Sequence, residues 1–182
     1  MRKIIAGINI TIDGFCDHTL GIPDEEIHQY YADLLDESDL VLYGRITYEL
    51  MKYWQPMVNN PSGDKSTDEF ATSIDKIPKV VFSNTLKDTG WETATLATES
   101  LEDTVRKLKK EPGRNVLIGS RSLIVQLTNL NLLDELQLCI HPVVAGKGLP
   151  LFDQINEVTM FELLKTRTFS GGFVILYYRR KQ

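Results

Sequence analysis

The chain has little of several things, and each scarcity narrows the field. It carries only two cysteines, Cys16 and Cys139, in 182 residues. That is too few for a disulfide framework, and both read as reduced thiols. Its longest clean apolar run, residues 173–178, falls far short of the roughly 18–20 residues a spanning helix requires. The first residues, Met1-Arg2-Lys3-Ile4-Ile5, begin like a signal peptide, but Asn9, Thr11 and Asp13 interrupt the apolar stretch. A cytoplasmic protein is the expectation. There is no basic tract: 20 Lys+Arg stand against 25 Asp+Glu, for a net charge of −5. A nucleic-acid surface would want clustered cations, so that class of partner is excluded. Repeats, linkers and low-complexity segments are missing too, and the length suits one domain over 1–182 with a sizeable core.

What is present is an alternation of strands and helices. Residues 3–12 are rich in Ile and end at Asp13-Gly14, as a buried strand entering a turn does. Pro23-Asp24-Glu25-Glu26 then suits a helix N-terminus, with Ile27, Tyr30, Tyr31, Leu34 and Leu35 on one face. Strands follow at 39–43, 79–82, 91–96, 115–118 and 136–144. Helices are expected from Ile46, from Ser100 (an approximate capping box ahead of Leu101, Val105 and Leu108) and from Ser120. Residues 56–73, rich in Pro, Asn, Ser, Gly and Asp, read as a long surface loop. Residues 160–169 and 173–180 flank Ser170-Gly171-Gly172 as a hairpin. The pattern is α/β, a mostly parallel sheet with an antiparallel edge.

Two strand-to-helix junctions carry the chemistry. Leu42-Tyr43-Gly44-Arg45-Ile46-Thr47 and Leu117-Ile118-Gly119-Ser120-Arg121-Ser122 each place glycine at a strand end, then free helix amides, an arginine and hydroxyls. Unsatisfied amides, the helix dipole and a guanidinium together suit phosphate, and open α/β sheets bind ligands at those strand ends. Neither junction matches the G-x-G-x-x-G or G-x-x-x-x-G-K-[ST] fingerprints. Glycine there also serves backbone geometry alone.

Other clusters are weaker. Cys16-Asp17-His18 and Cys139-Ile140-His141 share an i, i+2 spacing that could meet in a Cys2His2 zinc site, but zinc ligand spacings differ, and a buried thiol with a loop thiol is the simpler account. The H-x-E…P-C-x-x-C deaminase pattern and the G-x-S-x-G elbow are absent. Asp13, Glu25 and Glu26 are candidate acids, with turn and dipole roles as their alternatives. The loop with Gly146, Lys147 and Gly148 could cover a phosphate or ribose, or be a plain connection.

Taken in order, these motifs resemble the dihydrofolate reductase superfamily. Within it they are most similar to the C-terminal reductase domain of the bifunctional riboflavin-biosynthesis deaminase-reductase, in its stand-alone bacterial form. Thr11-Ile12-Asp13-Gly14-Phe15 resembles that group's S-L-D-G segment, and Gly44-Arg45-Ile46-Thr47 its G-R-x-T segment. Ile118-Gly119-Ser120 resembles its glycine pair, with serine in the second place. Leu133-Asp134-Glu135-Leu136 with Pro142, Gly146, Gly148 and Pro150-Leu151-Phe152 resembles D-E-L…P…G-x-G-x-P-L-F.

The resemblance implies a dihydrofolate reductase-like three-layer α/β/α fold with an antiparallel C-terminal hairpin. It implies NADPH as cofactor and hydride transfer to a small substrate, here a phosphoribosylaminopyrimidine whose ribose is reduced. Gly44, Arg45 and Thr47 would hold cofactor phosphates; Ser83 and Asn84 would meet the adenosine 2′-phosphate; Gly119, Ser120 and Arg121 would take the pyrophosphate. Ala6 would lie by the nicotinamide through its backbone. Asp13 would sit near the substrate, and Glu25 or Glu26, of which Glu26 is taken as the candidate, falls near the first-helix carboxylate that protonates the pterin in folate reductases. No metal is implied. Reduction of another small molecule such as dihydrofolate, or nucleotide binding without turnover, are the alternatives. The exposed hairpin edge, with the resemblance, suggests a homodimer.

Overall fold

The computed structural model describes residues 2–16, 19–20 and 23–181. Its elements follow in the order β1 (Ile4–Thr11), α1 (Glu25–Asp36), β2 (Ser38–Gly44), α2 (Arg45–Met51), a 3-10 helix (Lys52–Val58), α3 (Lys65–Lys76), β3 (Lys79–Phe82), β4 (Ala94–Leu96), α4 (Leu101–Leu108), β5 (Asn115–Ile118), α5 (Arg121–Asn129), β6 (Glu135–His141), β7 (Phe161–Thr168) and β8 (Val174–Arg180). The strands form one eight-stranded sheet in the order β4-β3-β2-β5-β1-β6-β8-β7. Every pair from β4 through β6 is parallel, and β8 runs antiparallel to both β6 and β7. This is the expected α/β architecture with its C-terminal hairpin, a dihydrofolate reductase-like fold.

Alternation along the strands divides the core into two layers. Ile5, Val41, Tyr43 and Val81 pack on one face with Ile27 and Leu34 of α1 and Ile74 of α3. Ile4, Ala6, Leu42 and Ile118 pack on the other with Val105 of α4 and Ile124 and Leu127 of α5. Consecutive residues of β1 thus serve opposite layers. Ile4, Ile27, Ile74, Ile118, Ile124 and Leu127 are fully inaccessible, each such side chain contributing about 1.5–3 kcal/mol of burial.

The expected loop over 56–73 is wrong. The 3-10 helix covers its first part and α3 its second. Asp64 caps α3 by accepting a bond from Thr67 N at 2.8 Å. Phe70, Ala71 and Ile74 form its buried stripe, and the Trp54 ring stands edge-on to Phe70 at 4.7 Å. Tertiary packing and a cap make a helix from a composition that reads as coil. At the other end of the sheet, β6 stops at His141 instead of 144, because Val143 N turns back to His141 O at 2.7 Å.

Candidate functional site

The parallel strands all end on one edge of the sheet, and the chain leaves each end into a helix or loop. A groove of about 780 Å³ runs along that edge. Gly44, Arg45 and Thr47 line it from β2 and α2, Ser83 and Asn84 from the end of β3, and Arg121 from α5. Six of the residues singled out in the sequence therefore share one wall system. Ala6, Asp13, Glu26, Gly119 and Ser120 do not line it.

The two glycine junctions meet because β2 and β5 are adjacent, with Leu42 opposite Ile118. Ser120 is buried, and its hydroxyl accepts a hydrogen bond from Gly44 N at 2.8 Å. A Cβ on Gly119 would come within 2.7 Å of the Tyr43 ring, so glycine there is demanded by packing. Ala6 is fully buried between Ile118 and Leu136, within the α4/α5 layer.

Helix ends along the chain fall into two kinds. α1, α3 and α4 are capped by the side chains of Asp24, Asp64 and Ser100, and each has acidic residues in its first turn. α2 and α5 have neither a side-chain cap nor a first-turn acid. Both α2 and α5 begin in the groove wall, and the one residue that could cap α5, Ser120, has turned its hydroxyl to Gly44. An uncapped, acid-free N-terminus keeps its amides and positive dipole end available to an anion.

The cations differ in the same way. Arg121 is occupied: its Nε donates to Pro150 O at 2.9 Å and its guanidinium pairs with Asp153. Arg45 is exposed and, among the described residues, has no ion-pair partner. Glu99, also in the lining, is neutralised by Lys107. Arg45 is thus the free charge of the groove.

Both candidate acids hold backbone in place. Asp13 Oδ1 accepts from the Thr11 hydroxyl at 2.6 Å and Ala145 N at 3.0 Å, and Oδ2 from Gly146 N at 2.7 Å. Gly146 has φ +71°, the left-handed conformation that lets this amide point at the carboxylate. These bonds, the Thr11 hydroxyl foremost, bring the Asp13 pKa down to about 2. Glu26 Oε2 accepts from Ser170 N at 2.8 Å and from the Ser170 hydroxyl, which ties α1 to the hairpin turn and lowers its pKa. Each carboxylate is ionised at neutral pH, which disfavours the proton-donor role expected of Glu26. Lys147 is exposed on the loop that Asp13 clasps.

Among the described residues no group of three His, Cys, Asp or Glu could hold a metal ion. His18 lies outside them. Cys16 and Cys139 are unpaired, and burial pushes the Cys139 thiol up to about 12. His141, weighed in the sequence only as a metal ligand, is the residue that reasoning missed. It is buried at the end of β6, and among the described residues neither ring nitrogen has a hydrogen-bond partner. Exposed Ile12, Ile46, Val144 and Leu149 give this edge of the molecule an apolar rim.

Comparison with known proteins places the family and the fold. A model of the RibD C-terminal domain matches residues 2–175. The chain is 36% identical over 181 residues to uncharacterized protein YyaP of Bacillus subtilis (strain 168), covering 97% of this chain and 94% of that one. It is 30% identical over 186 residues to uncharacterized protein YwjB of the same strain, covering 98% of each. Among solved structures it superimposes on a putative riboflavin biosynthesis protein from Shewanella sp. PV-4 with a TM-score of 0.73, 20% identity and full coverage of both chains. A pyrimidine reductase-like protein from Corynebacterium diphtheriae gives 0.69 at 15% identity, over 100% of this chain and 92% of that one. Likenesses at this identity establish the fold, and the family match establishes the kinship.

Proposed function

The chain belongs to the RibD C-terminal domain family, and from that premise we propose that it is an NADPH-dependent reductase acting on a small pyrimidine-linked substrate. The substrate that fits the family best is 5-amino-6-(5-phosphoribosylamino)uracil of riboflavin biosynthesis, whose ribose would be reduced. The observation that carries the reading is the pairing of uncapped, acid-free helix ends with an unpaired Arg45 in one strand-end groove. When bound, the cofactor supplies the hydride.

The protein's own part is to bind and orient. The first-turn amides of α5 and the Gly44–Thr47 turn would hold the pyrophosphate. Arg45, with Ser83 and Asn84 beside it, would hold the 2′-phosphate by charge-assisted bonds. Gly119 and Ser120 would act from behind, keeping the two junctions in contact, and Arg121 would fix Pro150 and Asp153, just after the lining residue Leu149. Asp13 would set the loop at Ala145 and Gly146, and the apolar rim would shield the reacting carbon from water. Dihydrofolate is the weaker substrate, since Glu26, nearest to the expected first-helix acid, is tied to Ser170.

Arg45→Ala tests the assignment. It should weaken NADPH binding about tenfold while leaving NADH nearly unchanged, because only NADPH presents the 2′-phosphate. Titration of both nucleotides by fluorescence or thermal shift reads the difference. Absence of any response to either nucleotide in the unmodified protein would overturn the proposal. No helix among the described residues is long and apolar enough to cross a membrane, in keeping with a cytoplasmic reductase. β7, exposed along almost its whole length at the sheet edge, is the surface we assign to a homodimer, which light scattering would detect.

A further inference from the structure

One buried side chain has no structural reason to be polar. His141 is 2% exposed, and its Nδ1 and Nε2 have no hydrogen-bond partner among the described residues. A neutral imidazole carries one N–H donor and one acceptor lone pair, and leaving both unmet in an interior costs stability that an apolar side chain would not. No other described residue supplies a partner. The Phe173 ring stands edge-on at 4.8 Å, and the charge that bears on His141 is the Asp24 carboxylate at the start of α1.

The position is informative. β1 and β6 pair in parallel, so Thr11 and His141 are neighbours at their C-terminal ends, and Asn9 is opposite Cys139. Alternation puts Asn9 and Thr11 of β1, with Gln137 and His141 of β6, on the face covered by α1. There the helix meets the sheet through polar groups: Tyr31 donates to Asn9 Oδ1 and Tyr30 to Gln137 Oε1, each at 2.6 Å. Asn9 and Tyr31 are only half-buried, so this seam opens to solvent beside the strand ends. The groove assigned to the cofactor faces the α4/α5 layer, on the other side of β1. The sheet edge therefore offers a second, separate polar place.

We propose that His141 is a substrate-positioning residue: its unpaired donor and acceptor, next to the Asn9–Tyr31 opening, engage the hydrogen-bonding edge of an aminopyrimidine or aminopteridine ring. Such rings present adjacent donors and acceptors, which one imidazole and one carboxamide can match. Exposed Ile12 and Val144 flank the same strand ends and suit the faces of a flat heterocycle. The assignment deepens the reductase reading and rests on it for the identity of the ring.

The chain has three histidines, so ¹³C-histidine labelling gives a spectrum in which the His141 signal is identified by its loss in His141→Leu. 5,6-Diaminouracil and folate are the probes, each with and without NADP⁺. The His141 signal should shift with at least one probe and stay in place with NADP⁺ alone. His141→Leu should keep or raise its melting temperature, since no hydrogen bond is removed and an unmet polar group is, yet bind that probe about tenfold more weakly. His141→Gln, which restores a donor and an acceptor, should recover most of that loss, a rescue a merely structural role would not give. A His141 signal that neither probe moves overturns the proposal, as does equal binding by His141→Leu. If the signal moves with diaminouracil while NADPH fails to bind, the cofactor reading falls and this one stands. Should the Leu variant not fold, His141→Gln supplies the assignment, and the shift in the unmodified protein still decides.

Discussion

Among the described residues, three α-helices close their own N-termini and two leave them open. α1, α3 and α4 each spend a side chain on their first amides and add acids to the first turn; α2 and α5 do neither. The closed ends contribute to folding, typically about 1 kcal/mol per cap. The open ends forgo that stabilisation, and both lie in the groove wall with the unpaired Arg45, where α4 also begins but with its cap in place. An unmet amide at a helix start is a cost to the fold and an opportunity for an anion. The contrast between the two kinds of end separates architecture from binding more cleanly than the glycines do, because glycine serves both.

The hardest test of that contrast is to convert an open end into a closed one. Ser122 lies in the first turn of α5 and lines the groove. Ser122→Asp would give α5 the first-turn acid that α1 and α4 have. The helix should be slightly stabilised, by about 0.3–1 kcal/mol, through its dipole. NADPH affinity should fall about 100-fold, because a fixed anion then occupies the place of the phosphate. Calorimetric titration alongside a denaturant melt separates the two effects. Retained affinity would mean that phosphate does not bind at α5.

The converse change belongs at a closed end. Ser100 caps α4 by accepting from Asp103 N at 3.1 Å, and it also lies in the groove lining. Ser100→Ala should cost about 1 kcal/mol in urea melts and change NADPH affinity less than twofold. A larger loss of affinity would move part of the binding site to α4 and blur the distinction.

The groove was more legible in the sequence than the acids were. Gly44-Arg45 and Gly119-Ser120 are local signals, since a strand end and a helix start are contiguous in the chain. The tasks of Asp13 and Glu26 depend on partners 132, 133 and 144 residues away, which no spacing reveals. His141 is similar: its i, i+2 relation to Cys139 suggests ligation, while its significance lies in lacking a hydrogen-bond partner among the described residues. For the fold, β1, β2, β3, β5 and the hairpin are written in runs of β-branched and apolar residues bounded by turn residues. α3 is not, because Phe70, Ala71 and Ile74 are too few to stand out among Ser, Thr and Asp. Its one local sign was Asp64, a cap residue three positions before the amide it accepts from.

That cap supplies the smallest effect and the finest discrimination between the two kinds of helix end. Asp64 receives bonds from Thr67 N and the Ser66 hydroxyl, each at 2.8 Å, and with Thr67 as the leading cause its pKa drops from 3.8 to about 2. A carboxylate whose folded pKa is depressed stabilises the fold above its unfolded value and loses that contribution as pH falls through the folded one. Asp64→Asn keeps an acceptor for Thr67 N but removes the titration. The unmodified protein should therefore be the more stable of the two above about pH 4, with the margin closing progressively toward pH 2. Because α5 has no such carboxylate, amide hydrogen exchange in the first turns of α3 and α5 should diverge over the same range, α3 becoming faster relative to α5 as the pH drops. Parallel behaviour of the two would show that the Asp64 charge does nothing for α3 that an uncapped end lacks, and the energetic side of the comparison would fail.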